Sequence, residues 1–187
     1  MTDVHEIETV VFEGDAPASI WTGVAGLYEE AFASPPYREA RGELREIAQW
    51  GPAMLAAPGG RLTAAVVEDQ VAGFAVSERL DQDRPWQEML ASTAGPEGGL
   101  VLPPESTVIL QELAVDDAHR GRGIARALVA ALLRDRAEEH VVLSVFERAS
   151  SVHAMYRRWG FDEFGTAPAE GGDDTMHLMH HRLPWAL

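Results

Sequence analysis

Val108-Ile109-Leu110-Gln111-Glu112-Leu113-Ala114-Val115 runs into Asp116-Asp117-Ala118-His119, and that turn runs into Arg120-Gly121-Arg122-Gly123-Ile124-Ala125. The first of these segments is short, mostly apolar and bounded by polar residues, which predicts a buried strand over 107–115. Beyond the turn, Ile124, Ala127, Leu128, Ala131 and Leu132 recur on one helical face, and the spacing predicts a helix over 123–139. Burying that stripe places the start of the helix beside the end of the strand. The first amides of a helix have no intrahelical acceptors, and the helix dipole adds partial positive charge there. Gly121 and Gly123 let an anion approach the backbone, while Arg120 and Arg122 add full charges. The turn has the chemistry to hold a pyrophosphate.

Working outward, residues 7–13 read as a first strand and 17–32 as a helix whose face carries Ile20, Val24, Leu27, Tyr28 and Ala31. Ser34-Pro35-Pro36-Tyr37 ends that helix, and a second is expected over 41–50, resuming after Gly51-Pro52 as far as Ala56. Residues 61–68 and 71–79 predict a hairpin turning at Asp69-Gln70. From 81 to 106 the periodicity dissolves into charges, prolines and glycines around Trp86, Met89 and Leu90, which predicts a long loop. A strand over 141–146, a helix over 151–159 and strands over 161–165 and 175–182 complete the chain. The order is strand, two helices, three strands, helix, strand, helix, two strands, which is an α/β chain with a mixed sheet and helices on both faces.

Composition narrows the function. The 187 residues are 46% hydrophobic and 24% charged, as expected of one globular domain spanning 1–187. Cysteine is absent, which excludes disulfides, thiolate nucleophiles and cysteine-based zinc sites. Every one of the 15 cationic side chains is arginine, so lysine Schiff bases and P-loop lysines are excluded too. A formal net charge of −15 disfavours nucleic acid and anionic membranes as partners and favours a cationic one. No apolar run is long enough to span a membrane and no secretory leader is recognisable, so a cytoplasmic location is expected.

Arg120-x-x-Gly123-x-Ala125, set between a strand ending Leu113-Ala114-Val115 and an amphipathic helix, matches the (Gln/Arg)-x-x-Gly-x-(Gly/Ala) signature of the GNAT acetyltransferase superfamily. The later strand followed by Ala154-Met155-Tyr156-Arg157-Arg158-Trp159-Gly160-Phe161 resembles the same family. The likeness covers about 61–164 apart from the 81–106 insertion; the N-terminal third matches in element order alone. The resemblance implies a GNAT fold: a seven-stranded, mostly antiparallel sheet whose central parallel pair splays apart. It also implies acetyl-coenzyme A as cofactor and acyl transfer to an amine by direct attack in a ternary complex.

Carried over residue by residue, the resemblance assigns the pantetheine arm to the backbone of Leu113, Ala114 and Val115. The pyrophosphate falls to Arg120, Gly121, Arg122, Gly123, Ile124 and Ala125. Tyr156 aligns with the family's tyrosine beside the departing sulfur, although its place in an apolar stripe also suits a core residue. Glu112 is the first candidate for the base that deprotonates the amine, with an ion-paired or solvated glutamate as the plain alternative. Glu147 stands in reserve, and Ser144 occupies a place where some relatives carry a carboxylate. Tyr37, beside the rigid Pro35-Pro36 pair, and Trp86 in the insertion are expected to line the acceptor pocket. No metal is expected: His177 and His180 alternate to opposite faces of a strand, even with Asp173 and Asp174 near. His119 is read as a solvated turn residue and His153 as a helix-surface residue. The expected substrate is a small cationic amine. A protein or peptide N-acetyltransferase, or a non-catalytic acyl-CoA sensor, are the alternatives, and a homodimer is left open.

Overall fold

The computed structural model describes residues 7–93, 100–169 and 174–185. Seven strands form one sheet: β1 (Glu8–Phe12), β2 (Arg61–Val67), β3 (Gln70–Arg79), β4 (Thr107–Val115), β5 (His140–Phe146), β6 (Asp162–Pro168) and β7 (Thr175–Arg182). Their order is β1-β2-β3-β4-β5-β7-β6. Every neighbouring pair is antiparallel except β4 and β5. This is the expected mixed sheet with a central parallel pair.

Single-residue alternation sorts the strands' side chains between two cores. Phe74 and Val76 on β3 join Leu62 and Ala114 under α1 (Ala18–Phe32) and α3 (Ile47–Ala56), where Trp21, Val24 and Leu27 complete one layer. Ala75, one residue along, faces the other way with Val108, Leu110 and Val141, under Leu128 and Leu132 of α5 (Ile124–Leu133) and Tyr156 of α6 (Ser150–Arg158). A third, smaller cluster gathers Ile109, Val142 and Leu178 beneath Trp86.

Several expected boundaries move. The β2–β3 turn falls at Glu68 and Asp69, one residue early, because both take positive φ (49° and 61°) as a tight two-residue hairpin requires. The second helix is two: α2 (Arg41–Leu44) and then α3, which passes through Gly51-Pro52 instead of stopping there. A Cβ on Gly51 would lie 2.3 Å from the Trp21 ring, so the close helix–helix contact sets the path and overrides the local breaker. α5 stops at Leu133 rather than near 139, and Asp135 leaves it with φ 51°.

The largest correction lies in the expected loop over 81–106. It contains α4 (Arg84–Thr93). Asp83 caps that helix, accepting a hydrogen bond from the Trp86 amide at 2.9 Å, and Pro85 sits in the first turn, where its missing N–H costs nothing. Trp86, Met89 and Leu90 recur at i, i+3 and i+4 and pack onto the third cluster. Residues 94–99, and the 170–173 part of the acidic stretch with Asp173, fall outside the described residues.

Candidate active site

The site begins with one extra residue in β4. Val76 pairs with Glu112 and Ser77 with Leu110, so Gln111 is bulged out of the β3–β4 ladder. A bulge bends its strand and strengthens the local twist. On the other side of β4, the parallel pairing with β5 runs only from Thr107↔His140 to Ile109↔Val142. Past that point β4 continues to Val115 and β5 to Phe146 without pairing, and the two strands part.

A cleft of about 700 Å³ fills the gap. Its floor is Leu110 to Leu113 on one side and Leu143 to Phe146 on the other. Tyr28 from α1, Tyr37 and Glu39 from the following loop, Trp86 and Met89 from α4 and Tyr156 from α6 close around it. Tyr37, Trp86, Glu112, Leu113 and Tyr156, all singled out in the sequence, therefore line one cavity. Ser144 lines it as well. Pro35, Pro36 and Glu147 do not belong to the lining, and Glu147 is exposed.

The bulge also places the helix that covers the cleft. The Gln111 side-chain amide, through Nε2, donates to Glu78 at 2.9 Å and to Asp83 at 2.7 Å, tying the bulged residue to the residue that caps α4. α4 is thereby fixed relative to β4, with Trp86 buried yet still on the cavity wall.

Glu112 is half-buried and accepts a hydrogen bond from the Tyr28 hydroxyl at 2.7 Å. Burial pushes its carboxyl up to about 8; the Tyr28 bond opposes the shift and nearby Glu39 adds to it. Burial likewise raises Glu39, with Arg148 opposing. Tyr156 is buried, and burial, with Tyr37 and Glu112 nearby, holds its phenol protonated well above the ordinary tyrosine range. Tyr28 and Glu39 were not picked out from the sequence. The signal for Tyr28 was its place on the apolar face of α1; Glu39, in an irregular loop, offered none.

At the other end of β4, Asp116 accepts from the Ala118 amide at 2.7 Å and starts the short turn. Gly121 and Gly123 both take positive φ, 75° and 82°, where glycine is strongly favoured. A Cβ on either would meet no protein atom within 4 Å, so the space before the first turn of α5 is open. Gly123 is the N-cap of α5 and offers no side-chain cap. Such an N-terminus, with its outward amides and exposed Arg122, fits a phosphate group.

Arg120 is more occupied than the sequence implied. Its Nε donates to the Val115 carbonyl at 3.0 Å and its guanidinium pairs with Asp117 at 2.6 Å, so it braces the turn. Ala114 is buried in the α1 layer, Val115 and Ile124 are buried in the α5 layer, and Leu113 and Ala125 pack against that layer. His119 is half-buried beside Asp116 rather than solvated. His153 is not a free surface residue either: it faces Glu163 and His177.

Residues 24–161 match the Acetyltransferase (GNAT) family. Among solved structures, a GNAT-family protein from Desulfovibrio desulfuricans subsp. is similar at 15% identity and TM-score 0.62, covering 94% of this chain and 99% of the other. The ribosomal-protein-S18-alanine N-acetyltransferase from Escherichia coli gives 16% identity and TM-score 0.60, with 96% and 97% covered. yncA from Salmonella typhimurium, solved with its cofactor acetyl-CoA, gives 13% identity and TM-score 0.60, with 96% of each chain covered. No curated protein matches the sequence. At these identities the structures speak for the fold alone, whereas the family match spans most of the chain, and the chain belongs to the GNAT acetyltransferase family.

Proposed function

We propose that this chain is a single-domain N-acetyltransferase that uses acetyl-coenzyme A to acetylate a primary amine on a small cationic molecule. The observation that carries the reading is Glu112, a carboxyl with a raised pKa in the cleft where β4 and β5 part. The residues present suit the cofactor. The open glycine turn fits its pyrophosphate, and the unpaired edges of β4 and β5 fit the amides of its pantetheine arm. In that arrangement acetyl-coenzyme A supplies an activated acyl carbonyl and a thiolate leaving group.

Glu112, once ionised, takes the proton that the acceptor ammonium must lose before its nitrogen can attack. A carboxylate near 8 is a stronger base than an ordinary glutamate and sits closer to the pKa of an amine. The Tyr28 hydrogen bond fixes the carboxyl's orientation. Tyr156 keeps its proton at the phenol oxygen and offers it to the sulfur anion. Leu113, Ala114 and Val115 form the strand edge for the pantetheine arm, while the turn from Arg120 to Ala125 takes the phosphates. Tyr37 and Trp86 give the acceptor aromatic walls.

Among the described residues the lining contains Glu39, Glu88 and Glu112 and no arginine or histidine, which favours an acceptor with positive charge beyond the reacting amine. α4 covers one side of the cleft, which supports a small acceptor over a protein chain. Among the described residues no helix is long and apolar enough to cross a membrane, in keeping with a cytoplasmic role.

Glu112→Gln tests the assignment. Turnover with a responsive amine should fall roughly 10²- to 10³-fold, with acetyl-CoA affinity preserved. The wild-type kcat/KM should rise with pH through about 8, and the variant should lose that limb. The sign carries to stability: the folded state holds this proton between the ordinary carboxylate range and about 8, so the native carboxyl weighs against folding as pH rises through that window. The variant should therefore gain stability over wild type at alkaline pH. A profile unchanged by the substitution would remove Glu112 from the mechanism.

A further inference from the structure

Away from the cleft, three side chains from three elements converge. His153 from α6, Glu163 from β6 and His177 from β7 bring one ligand atom each to within 4.8 Å of one another. His153 Nε2 lies 3.0 Å from Glu163 Oε2, and His177 Nδ1 lies 3.1 Å from Glu163 Oε1. The two imidazole rings stand 4.5 Å apart, centre to centre. Sequence alternation correctly separates His177 from His180, whose Nε2 instead sits 2.9 Å from His140 Nδ1. It could not show that α6 lays His153 over the β6–β7 ribbon, where the Glu163 carboxylate reaches one nitrogen of each ring.

The His177 contact is the informative one. Its Nδ1 is close to Glu163 Oε1 but off the line a hydrogen bond needs, and the buried nitrogen has no hydrogen-bond partner. Buried nitrogens are rarely left so. Two imidazoles and a carboxylate, facing one another without fully bonding one another, make a metal ligand set. A tetrahedral zinc ion with ligands at about 2.0–2.2 Å holds them about 3.3–3.6 Å apart. The two histidine–glutamate contacts, 3.0 and 3.1 Å to different carboxylate oxygens, are shorter, and the one-per-residue ligand atoms span up to 4.8 Å, so small side-chain rotations bring the three onto one ion. All three side chains are partly exposed, leaving a side from which an ion and a water could enter. The protein's net charge of −15 favours any cation.

We infer that His153, Glu163 and His177 form a site for a divalent transition-metal ion, zinc by ligand type, with water completing the shell. Nitrogen and carboxylate ligands without cysteine suit zinc, which also tolerates an irregular shell. The site lies outside the cleft lining, so it is structural: the ion staples α6 to the β6–β7 hairpin. Tyr156 is three residues beyond His153 on the same helix, so the staple would also hold Tyr156 at the cleft wall. The same trio without an ion would be two partly exposed histidine–glutamate contacts with one buried nitrogen left short of a hydrogen bond.

The test is a zinc titration of chelator-dialysed wild-type protein against a competing chromophoric chelator, without acetyl-CoA, so that its result is independent of the catalytic reading. One equivalent should bind and raise the melting temperature. Glu163→Gln and His153→Gln, each verified as folded by circular dichroism, should weaken binding at least tenfold and abolish the thermal shift. His180→Gln, which removes the neighbouring histidine pair and leaves the trio, should bind as wild type does. Absence of stoichiometric binding to the folded wild type overturns the inference. So does binding that survives both trio substitutions, or that is lost with His180.

Discussion

The two ends of α5 are built on opposite principles. At its C-terminus the protein satisfies the helix itself. Arg61 donates to the carbonyls of Leu132 and Arg134, and Arg136 donates to the Leu132 carbonyl at 2.9 Å while its other nitrogens reach Gly59 and Ser77. These are the orphan acceptors and the negative dipole end, met by two cations. At the N-terminus there is no side-chain cap, two glycines sit in the left-handed region, and the space before them is open. A fold that closes one end with two arginines and leaves the other bare has room for a ligand at the bare end. The closed end serves stability; the open end is the one proposed above to take the cofactor's phosphates.

The largest effect should come from the closed end. Arg136 is nearly fully buried, with 4% of its side chain exposed, and burial, with Arg61 adjacent, lowers its guanidinium to about 10, still charged near neutrality. Arg136→Met would take this donor from the Gly59 carbonyl and the Ser77 hydroxyl, leave the Leu132 carbonyl to Arg61 alone, and should cost about 3 kcal/mol in a urea titration. Acetyl-CoA affinity of the folded variant should stay within twofold of wild type. A large affinity loss in folded protein would mean that the two ends are coupled through the helix and that the division between them fails.

Gly123→Val comes next. A β-branched residue at φ 82° is strained, costing about 1–2 kcal/mol, and its side chain would stand in the open space at the turn. Calorimetric titration with acetyl-CoA should show at least a tenfold loss. Gly123→Ala, with less bulk, should lose less at similar stability. Unchanged affinity in either folded variant would break the assignment of the open end.

The sequence showed the open end and hid the closed one, and the reason is physical. A turn with the chemistry to hold a phosphate is local: strand, glycines, arginines and the helix stripe lie within residues 107–133, and each signal is periodic or conformational. The clamp is not local, since Arg61 reaches the end of α5 across 71 residues, and no spacing rule reports such a contact. Without it, the run of helix formers past Leu133 reads as more helix. α4 is the opposite case. Its cap at Asp83, Pro85 in the first turn and the Trp86-Met89-Leu90 stripe were all visible, but the charges and prolines around them outweighed a short amphipathic pattern. In the cleft, Glu112, Tyr156, Tyr37 and Trp86 were legible as separate residues. Their meeting in one cavity depends on the bulge at Gln111, which appears only in the register between strands.

The smallest effect discriminates most finely within the open end. Arg120 is committed to the Val115 carbonyl and Asp117, which leaves exposed Arg122 as the turn arginine better placed to add charge to a bound phosphate. An exposed charge is screened within about 10 Å at 0.1 M salt and contributes well under 1 kcal/mol once the salt is raised. Arg122→Gln should therefore weaken acetyl-CoA binding about threefold at low ionic strength, and the difference should vanish near 0.5 M salt. If the turn works mainly through backbone amides and the helix dipole, most of the affinity survives this substitution and remains after salt has removed the arginine's share. If Arg122→Gln abolished binding at every salt concentration, the bare helix end would be supplying little. The glycines would then serve to let an arginine reach the ligand rather than to let the ligand reach the backbone.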